Sequence, residues 1–303
     1  MPEQKKTIKD FSQLIALLKE KNVCKRTAVA WPEDAHTQEA VTRAAQEGFI
    51  SPILVCSEDT AESYSGRHGF QSVIARTPEE AAQKAVGLVR EKQADVLMKG
   101  FLNTDVLLRA ILDKEVGILP KDTVLTHITV TKLPEYHKLL FFTDAAVIPA
   151  PTDKQRREQV RYVVDFCHAF QIDCPRVSLI HCSEKVDERH FPYTASYATL
   201  REEGENGAFG SCLIDGPLDL KTSCSPEAMS VKRIDSPIGG DADALIFPDI
   251  EAGNLFYKAV TLFCRAETAA VLQGTMAPVV LPSRGDTVES KFYSLALASL
   301  ISR

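Results

Sequence analysis

The sequence predicts an α/β fold with mostly parallel strands, and three observations carry that reading. Short apolar runs alternate with amphipathic stretches almost throughout, as in chains that build parallel sheets from crossover units. Several runs end in polar loops rich in Gly and Pro that lead into a helix start, where open α/β sheets place ligands. The chain has 303 residues, 45% of them hydrophobic, enough for two domains or one large α/β domain.

Taken in order, Phe11, Leu14, Leu17 and Leu18 give the first helix one apolar face. Arg26–Ala30 reads as a strand, Thr37–Glu47 as a helix, and Ile53–Cys56 and Ser72–Ala75 as short strands. Thr77-Pro78-Glu79-Glu80 is a helix start, with a capping residue, a proline at the first position and acidic residues in the first turn. Asp95–Met98 is a buried strand with Lys99-Gly100 at its carboxyl end, followed by a helix over 103–113. Val124–Thr131 alternates apolar and polar residues as a half-buried strand does, and Leu139–Phe142 pairs with it as a two-strand insertion. The tract Ala145–Thr152 carries two prolines and marks a domain crossing. A long helix covers 153–170, then comes the strand Val177–His181 and a helix over 191–203. Gly204–Gly210 spaces glycines at every third residue but precedes the strand Ser211–Ile214, the wrong context for a dinucleotide fingerprint. Asp215-Gly216-Pro217-Leu218 leaves that strand's end, and Ser225-Pro226-Glu227 caps a short helix. Ala244–Phe247 and Thr268–Leu272 are buried strands. The last helix runs from about Asp286 to Ile301, with Asp286 and Glu289 as a capping box.

Charge and cysteine content narrow the function. A net charge of −6 argues against a general nucleic-acid surface and leaves room for a local basic pocket. No apolar run approaches the roughly 20 residues of a membrane span, and the N-terminal stretch lacks the apolar core of a secretory signal. The eight cysteines lie far apart without a CxxC, so they read as reduced cytoplasmic thiols, most of them small buried hydrophobes. Zinc spacing and HExxH are absent.

Two loops carry the most telling chemistry. Pro248–Asn254 (PDIEAGN) joins a strand to a helix, and Pro282-Ser283-Arg284-Gly285 opens the last helix. Ser-Arg-Gly at a helix entrance suits an anion, because free backbone N–H groups and the helix dipole favour negative charge, and Arg284 adds a two-pronged donor. This half of the chain is therefore expected to bind a phosphorylated substrate.

These residues belong to an ordered set. Ala94–Gly100, Thr126-His127, Tyr136–Leu140 and Thr143–Ala146 are followed by Asp215–Leu218, Ala242–Ala244, Pro248–Asn254, Tyr257-Lys258, Ala277–Leu281 and Ser283-Arg284. The set resembles the phosphate acetyltransferase/butyryltransferase family, closest to its butyryltransferase branch, from Ala94 to the C-terminus. The resemblance implies a two-domain, three-layer α/β/α fold with mostly parallel sheets, similar to isocitrate and isopropylmalate dehydrogenases. Residues 1–146 with 284–303 would form one domain and 147–283 the other, with the active site in the cleft between them and the C-terminal helix returning to the first domain. It implies reversible transfer of a short acyl group, butyryl-type, between coenzyme A and phosphate, with direct thiolate attack in a ternary complex. Coenzyme A is then a co-substrate, no metal or redox cofactor is required, and a homodimer or larger homo-oligomer is expected.

By the same resemblance Ser283 and Arg284 contact the reacting groups. The acetyltransferase branch places its base seven residues after the motif serine. That position is Ser290 here, which leaves Glu289, or a thiol pKa lowered by Arg284 and the helix end, to serve instead. Lys99, Gly100, Thr126, Asp249, Gly253, Asn254 and Tyr257 are expected to bind substrate. Each has a plainer role open to it: an ion pair for Lys99, a helix cap for Asn254, core packing for Tyr257. Acetyl transfer on the same fold, a metal- and NAD-dependent dehydrogenase, and a coenzyme A sensor are the rival activities.

Overall fold

The computed structural model describes residues 7–283 and 285–302. The first third of the chain runs α1 (Phe11–Glu20), β1 (Lys25–Ala30), α2 (Ala35–Gln46), β2 (Ile50–Cys56), α3 (Glu58–Ser63), β3 (Gln71–Ile74), α4 (Pro78–Arg90), β4 (Val96–Lys99) and α5 (Thr104–Leu112). The middle runs β5 (Thr126–Lys132), β6 (Leu139–Thr143), α6 (Asp153–Ala169), β7 (Arg176–Ile180), α7 (Ala195–Glu205), β8 (Leu213–Leu218), α8 (Leu220–Cys224), α9 (Pro226–Lys232), β9 (Ala244–Ile246) and α10 (Ile250–Leu262). The chain closes with β10 (Glu267–Gln273), β11 (Val279–Val280) and α11 (Val288–Ile301). Helices alternate with mostly parallel strands in the α/β/α arrangement the sequence led us to expect.

The chain folds as two compact units. One comprises Phe11–Leu125 and the described residues from Glu267 onward; the other comprises Thr126–Ala266 and the described residues up to Asp10. The divisions thus fall at 125/126 and 266/267, where the sequence reading set them at 146/147 and 283/284. Strand pairing accounts for the first: β6 pairs in parallel with β9, which ties the β5–β6 hairpin to the middle of the chain.

In the unit formed by α1 to α5 with β10, β11 and α11, the strands lie in the order β3-β2-β1-β4-β11-β10. All pairs are parallel except β10 with β11. The chain winds from β1 through β2 to β3 in one direction, whereas β4 lies on the other side of β1. Helix starts carry the residues that satisfy their free N–H groups. Thr77 caps α4 ahead of Pro78, as predicted. Asp34 caps α2 through the Thr37 amide at 2.9 Å. Helix α11 packs against α2, β10 and α1, with Phe292, Leu295, Ala296, Leu297 and Ala298 buried.

In the other unit the order is β5-β6-β9-β7-β8, with only the β5–β6 pair antiparallel. The predicted pairing of β5 with β6 is present, but β5 is buried on both faces through Thr131, so it is not the half-buried strand its alternation suggested. Threonines at 126, 129 and 131 are buried all the same, because their hydroxyls are small and find partners inside. Two of the quoted motifs lock together here. Tyr136 donates to the Ala242 carbonyl at 2.7 Å, and Lys138 pairs with Asp243 at 2.7 Å. Asp215-Gly216-Pro217 lies inside β8 and does not leave its end. Thr152 and Gln155 form a capping box on α6, and Ser225 caps α9.

All eight cysteines are free. Only Cys56 and Cys167 are buried, so the reading of most of them as buried hydrophobes holds for these two; Cys24, Cys174, Cys182 and Cys264 are exposed. Among the described residues no helix is long and apolar enough to cross a membrane.

Candidate active site

The strand order directs attention to the carboxyl ends of β1 and β4, where the winding reverses. Open α/β sheets bind ligands at such a switch point, because the two following loops diverge and leave a crevice. A cavity of about 250 Å³ opens here, lined by Asp34, Ala35, His36, Lys99, Gly100, Phe101, Pro282, Ser283 and Lys291. Three loops build it. The loop after β1 leads into the start of α2, the loop after β4 carries Lys99-Gly100-Phe101, and the loop after β11 carries Pro282-Ser283. Because β4 sits between β1 and β11 in register, with Ala30 beside Lys99 and Met98 beside Val280, the three loops emerge side by side.

Gly100 is fixed by this crowding. Its amide donates to the Ala30 carbonyl at 2.8 Å, and a Cβ added there would meet the Trp31 carbonyl oxygen at 2.3 Å. Only glycine lets the two backbones come so close. Lys99 is 2% exposed, and its ammonium donates to the carbonyls of Gly100 at 3.1 Å and Leu102 at 3.2 Å. Lys291 of α11, also buried, donates to the Asp34 carboxylate at 3.3 Å and the Thr37 hydroxyl at 3.2 Å. Burial works to raise the Asp34 carboxyl. The Thr37 hydroxyl and amide together with the Lys291 ammonium outweigh it and hold that carboxyl below the usual range. Two buried ammonium groups, one carboxylate and the first turn of α2 thus line one cavity, a setting that favours an anion.

Of the residues expected from sequence, Lys99, Gly100 and Ser283 meet here. Ser283 is exposed, its amide donating to Asp286 at 2.7 Å. Arg284 lies outside the described residues. Asp286 does not cap α11: Thr287 does, its hydroxyl accepting from the Ser290 amide at 3.1 Å, because the helix begins one residue later than the capping-box reading required. Glu289 does not line the cavity. It is largely exposed and lies 3.8 Å from Arg43. Ser290 exchanges a hydrogen bond with Thr268 of β10 at 3.2 Å. Sequence reasoning missed Asp34, His36 and Lys291. A signal did exist for Lys291, which falls on the stripe of Leu295 and Ala298, where a lysine on an apolar helix face needs a buried partner.

The remaining expected residues come together in the other unit, around Asp144. This carboxylate is 2% exposed and collects five donors. Oδ1 accepts from the amides of Ala146 at 2.8 Å and Val147 at 2.9 Å. Oδ2 accepts from the Thr126 hydroxyl at 2.8 Å and the amides of Ile148 at 3.2 Å and His127 at 3.3 Å. Thr126, fully buried, also meets the Thr143 hydroxyl at 2.9 Å and the Gln159 amide at 3.3 Å. Gly253 permits the close backbone approach foreseen for it: a Cβ would lie 2.1 Å from the Asp144 carbonyl oxygen. Asn254 does not cap α10 but donates to the Ala145 carbonyl at 2.9 Å, and Asp249 is the cap, accepting from Ala252 at 2.8 Å. Tyr257 packs against the core cluster of Phe142, Leu245 and Phe247. Thr126, Gly253 and Asn254 thus hold the 143–148 segment in place, and Asp249 starts the helix that carries the last two.

Comparison with known proteins assigns the class. Residues 64–299 match the family described as phosphate acetyl/butaryl transferase, and the chain belongs to that family; it is an enzyme of the phosphate acyltransferase type. The phosphate butyryltransferase of Clostridium acetobutylicum is 37% identical over 299 residues, covering 97% of this chain and 98% of its own. The phosphate acetyltransferase of Thermotoga maritima is 34% identical over 280 residues, covering 91% and 95%. Among solved structures, a branched-chain phosphotransacylase from Enterococcus faecalis V583 superposes with a TM-score of 0.80 at 29% identity, covering 92% of this chain and 99% of that one.

Proposed function

We propose that this enzyme moves a short, butyryl-type acyl group reversibly between coenzyme A and inorganic phosphate, and that the cavity at the β1/β4 switch point holds the phosphoryl group. The observation that carries the reading is the pair of buried lysines, Lys99 and Lys291, lining one cavity with Ser283 at the end of β11. A phosphate dianion suits a cavity lined by two ammonium groups, and charge-assisted hydrogen bonds are the strong ones.

In the direction of acyl phosphate synthesis, a phosphate oxygen attacks the thioester carbonyl. The carbonyl oxygen gains charge, the carbon–sulfur bond breaks, and the sulfur leaves with the electron pair as a thiolate. In the reverse direction that thiolate attacks the acyl phosphate carbonyl directly, with no acyl-enzyme. Lys99 holds the phosphoryl group and Ser283 donates to the developing oxyanion, a role in which a positioned donor does the most good. Arg284 follows Ser283 in sequence and is proposed to add a second donor. A cationic site also lowers the pKa of an incoming thiol. That makes a dedicated base at Glu289 unnecessary, in keeping with its exposure and its Arg43 partner.

The butyryl preference is supported by the 37% identity to a butyryltransferase and by the branched-chain enzyme among the structural relatives. The test is thiol release from a panel of acetyl-, butyryl-, isobutyryl- and valeryl-coenzyme A, with and without phosphate and with EDTA present. Phosphate-dependent release that survives EDTA and favours the four-carbon substrates is the expected result. Release that ignores phosphate would overturn the reaction, and a preference for acetyl-coenzyme A would overturn the acyl assignment alone.

A further inference from the structure

We propose that Lys291 binds the phosphoryl group directly and that Asp34 is the residue that positions it, so that α11 and the start of α2 together set the affinity for phosphate and leave the acyl and coenzyme A portions to other groups. This rests on the reading of the cavity as the phosphate site.

Contacts to the sheet fix the rotation of α11. Thr287 caps the helix, and Ser290 and Ser294 bind it to β10: Ser290 meets Thr268 at 3.2 Å, and Ser294 accepts from the Ala270 amide at 2.9 Å. With 290 and 294 committed to the sheet, the helical repeat carries residue 291 about 100° further round. There it meets the first turn of α2 and lines the cavity. The side chain is 4% exposed. An ammonium in such a place needs both its charge and its three donors accounted for. Asp34 at 3.3 Å and Thr37 at 3.2 Å account for two donors. Asp34 is itself shared, since the same oxygen, Oδ1, caps α2 through the Thr37 amide at 2.9 Å.

Charge leads the same way. Lys99 and Lys291 line the same cavity as the start of the twelve-residue α2, whose dipole adds partial positive charge. A phosphate or acyl phosphate anion suits that lining. A neutral thioester does not require it. Lys291 is therefore expected to govern the KM for phosphate and hardly touch the KM for the acyl-coenzyme A.

The bland rival is a strut: Lys291 and Asp34 as an ion pair that only pins α11 to α2. The two accounts separate in four variants. Lys291→Met should raise the KM for phosphate about tenfold or more, the usual worth of a charge-assisted hydrogen bond, with the KM for butyryl-coenzyme A within about twofold of wild type. It should also abolish the broadening of the inorganic phosphate signal by the protein in phosphorus NMR. Lys291→Arg, which keeps the charge, should recover most of both. Asp34→Asn still caps α2, because asparagine caps as well as aspartate. It releases the Lys291 ammonium from its counter-charge and should raise the KM for phosphate less than Lys291→Met does. Asp34→Ala loses the cap too and should add a fall in melting temperature.

An unchanged phosphate KM in Lys291→Met would overturn the proposal. So would an equal rise in both KM values together with a lowered melting temperature that Lys291→Arg does not repair, which is the signature of the strut. Should the wild-type enzyme release no thiol in a phosphate-dependent way, the functional reading fails, and the NMR measurement decides the fate of Lys291 alone. Broadening in the wild type that Lys291→Met removes supports the phosphate contact; no broadening in the wild type overturns it.

Discussion

The surroundings of Asp144 and the cavity of Asp34 are each built on a buried or half-buried carboxylate, and they use it in opposite ways. Asp144 receives five donors, three of them on its own following turn and two on β5, the His127 amide and the Thr126 hydroxyl. A carboxylate so enclosed has nothing left to offer a ligand; it fixes the path of the chain from β6 through residue 148. Asp34 has a shared cap and one buried lysine, beside a second buried lysine and an open cavity. The difference shows how to tell scaffold from site among buried polar groups. A scaffold carboxylate spends its hydrogen bonds on the backbone and hydroxyls that enclose it. A site gathers charge from separate elements and leaves room beside it.

The Asp144 turn is most tightly packed at Gly253. Gly253→Ala would drive a methyl group to 2.1 Å from the Asp144 carbonyl oxygen. Backbone cannot yield as a side chain does, so a loss of about 3 kcal/mol or more is expected, read from the urea midpoint. A midpoint unchanged by this substitution would show that the Asp144 turn is not held as tightly as its contacts state.

On the site side, Ser283→Ala should lower kcat/KM about a hundredfold, the loss seen when one donor to a developing oxyanion is removed, with the melting temperature unmoved. A fall of less than a few fold would place the oxyanion donor elsewhere. Next in size, Thr126→Val keeps the shape of a buried side chain and removes the hydroxyl shared by Asp144, Thr143 and Gln159. About 1–2 kcal/mol of stability should go with it.

A pH experiment sharpens the contrast further. The Asp34 carboxyl is held below its usual range in the folded state, so it contributes stability that is present above the unfolded value and is lost as pH falls through the folded one. The gap in stability between wild type and Asp34→Asn should therefore be widest at neutral pH and close in acid. A gap that persists in acid would mean the carboxylate charge is not what matters. The smallest effect is expected at Glu289. Exposed and 3.8 Å from Arg43, it should tolerate Gln with kcat/KM within about twofold, since such pairs contribute little. A loss of a hundredfold would restore it as the base.

Much of this was written in the chain. Alternating apolar runs and helix starts set the α/β class, because strand and helix periodicities are local properties of the sequence. Caps such as Thr77 were legible for the same reason, and Lys99-Gly100 and Ser283 could be placed at strand ends. Gly253 announced a close approach without naming what approached. Local signals failed where residues far apart had to meet. Nothing in sequence showed that Asp144, eighteen residues on from Thr126, would take its hydroxyl. The capping box at Asp286 and Glu289 was plausible locally, and the start of α11 at Val288 moved the cap to Thr287. Above all, sequence could not join Asp34 to Lys291 across 257 positions. That pairing depends on which strands lie beside β1 and on which face α11 turns toward α2. The sequence determined the elements and the chemistry at their ends. Only the order of strands and the docking of the last helix decided which ends share a cavity, because those are set by long-range packing and not by any local preference.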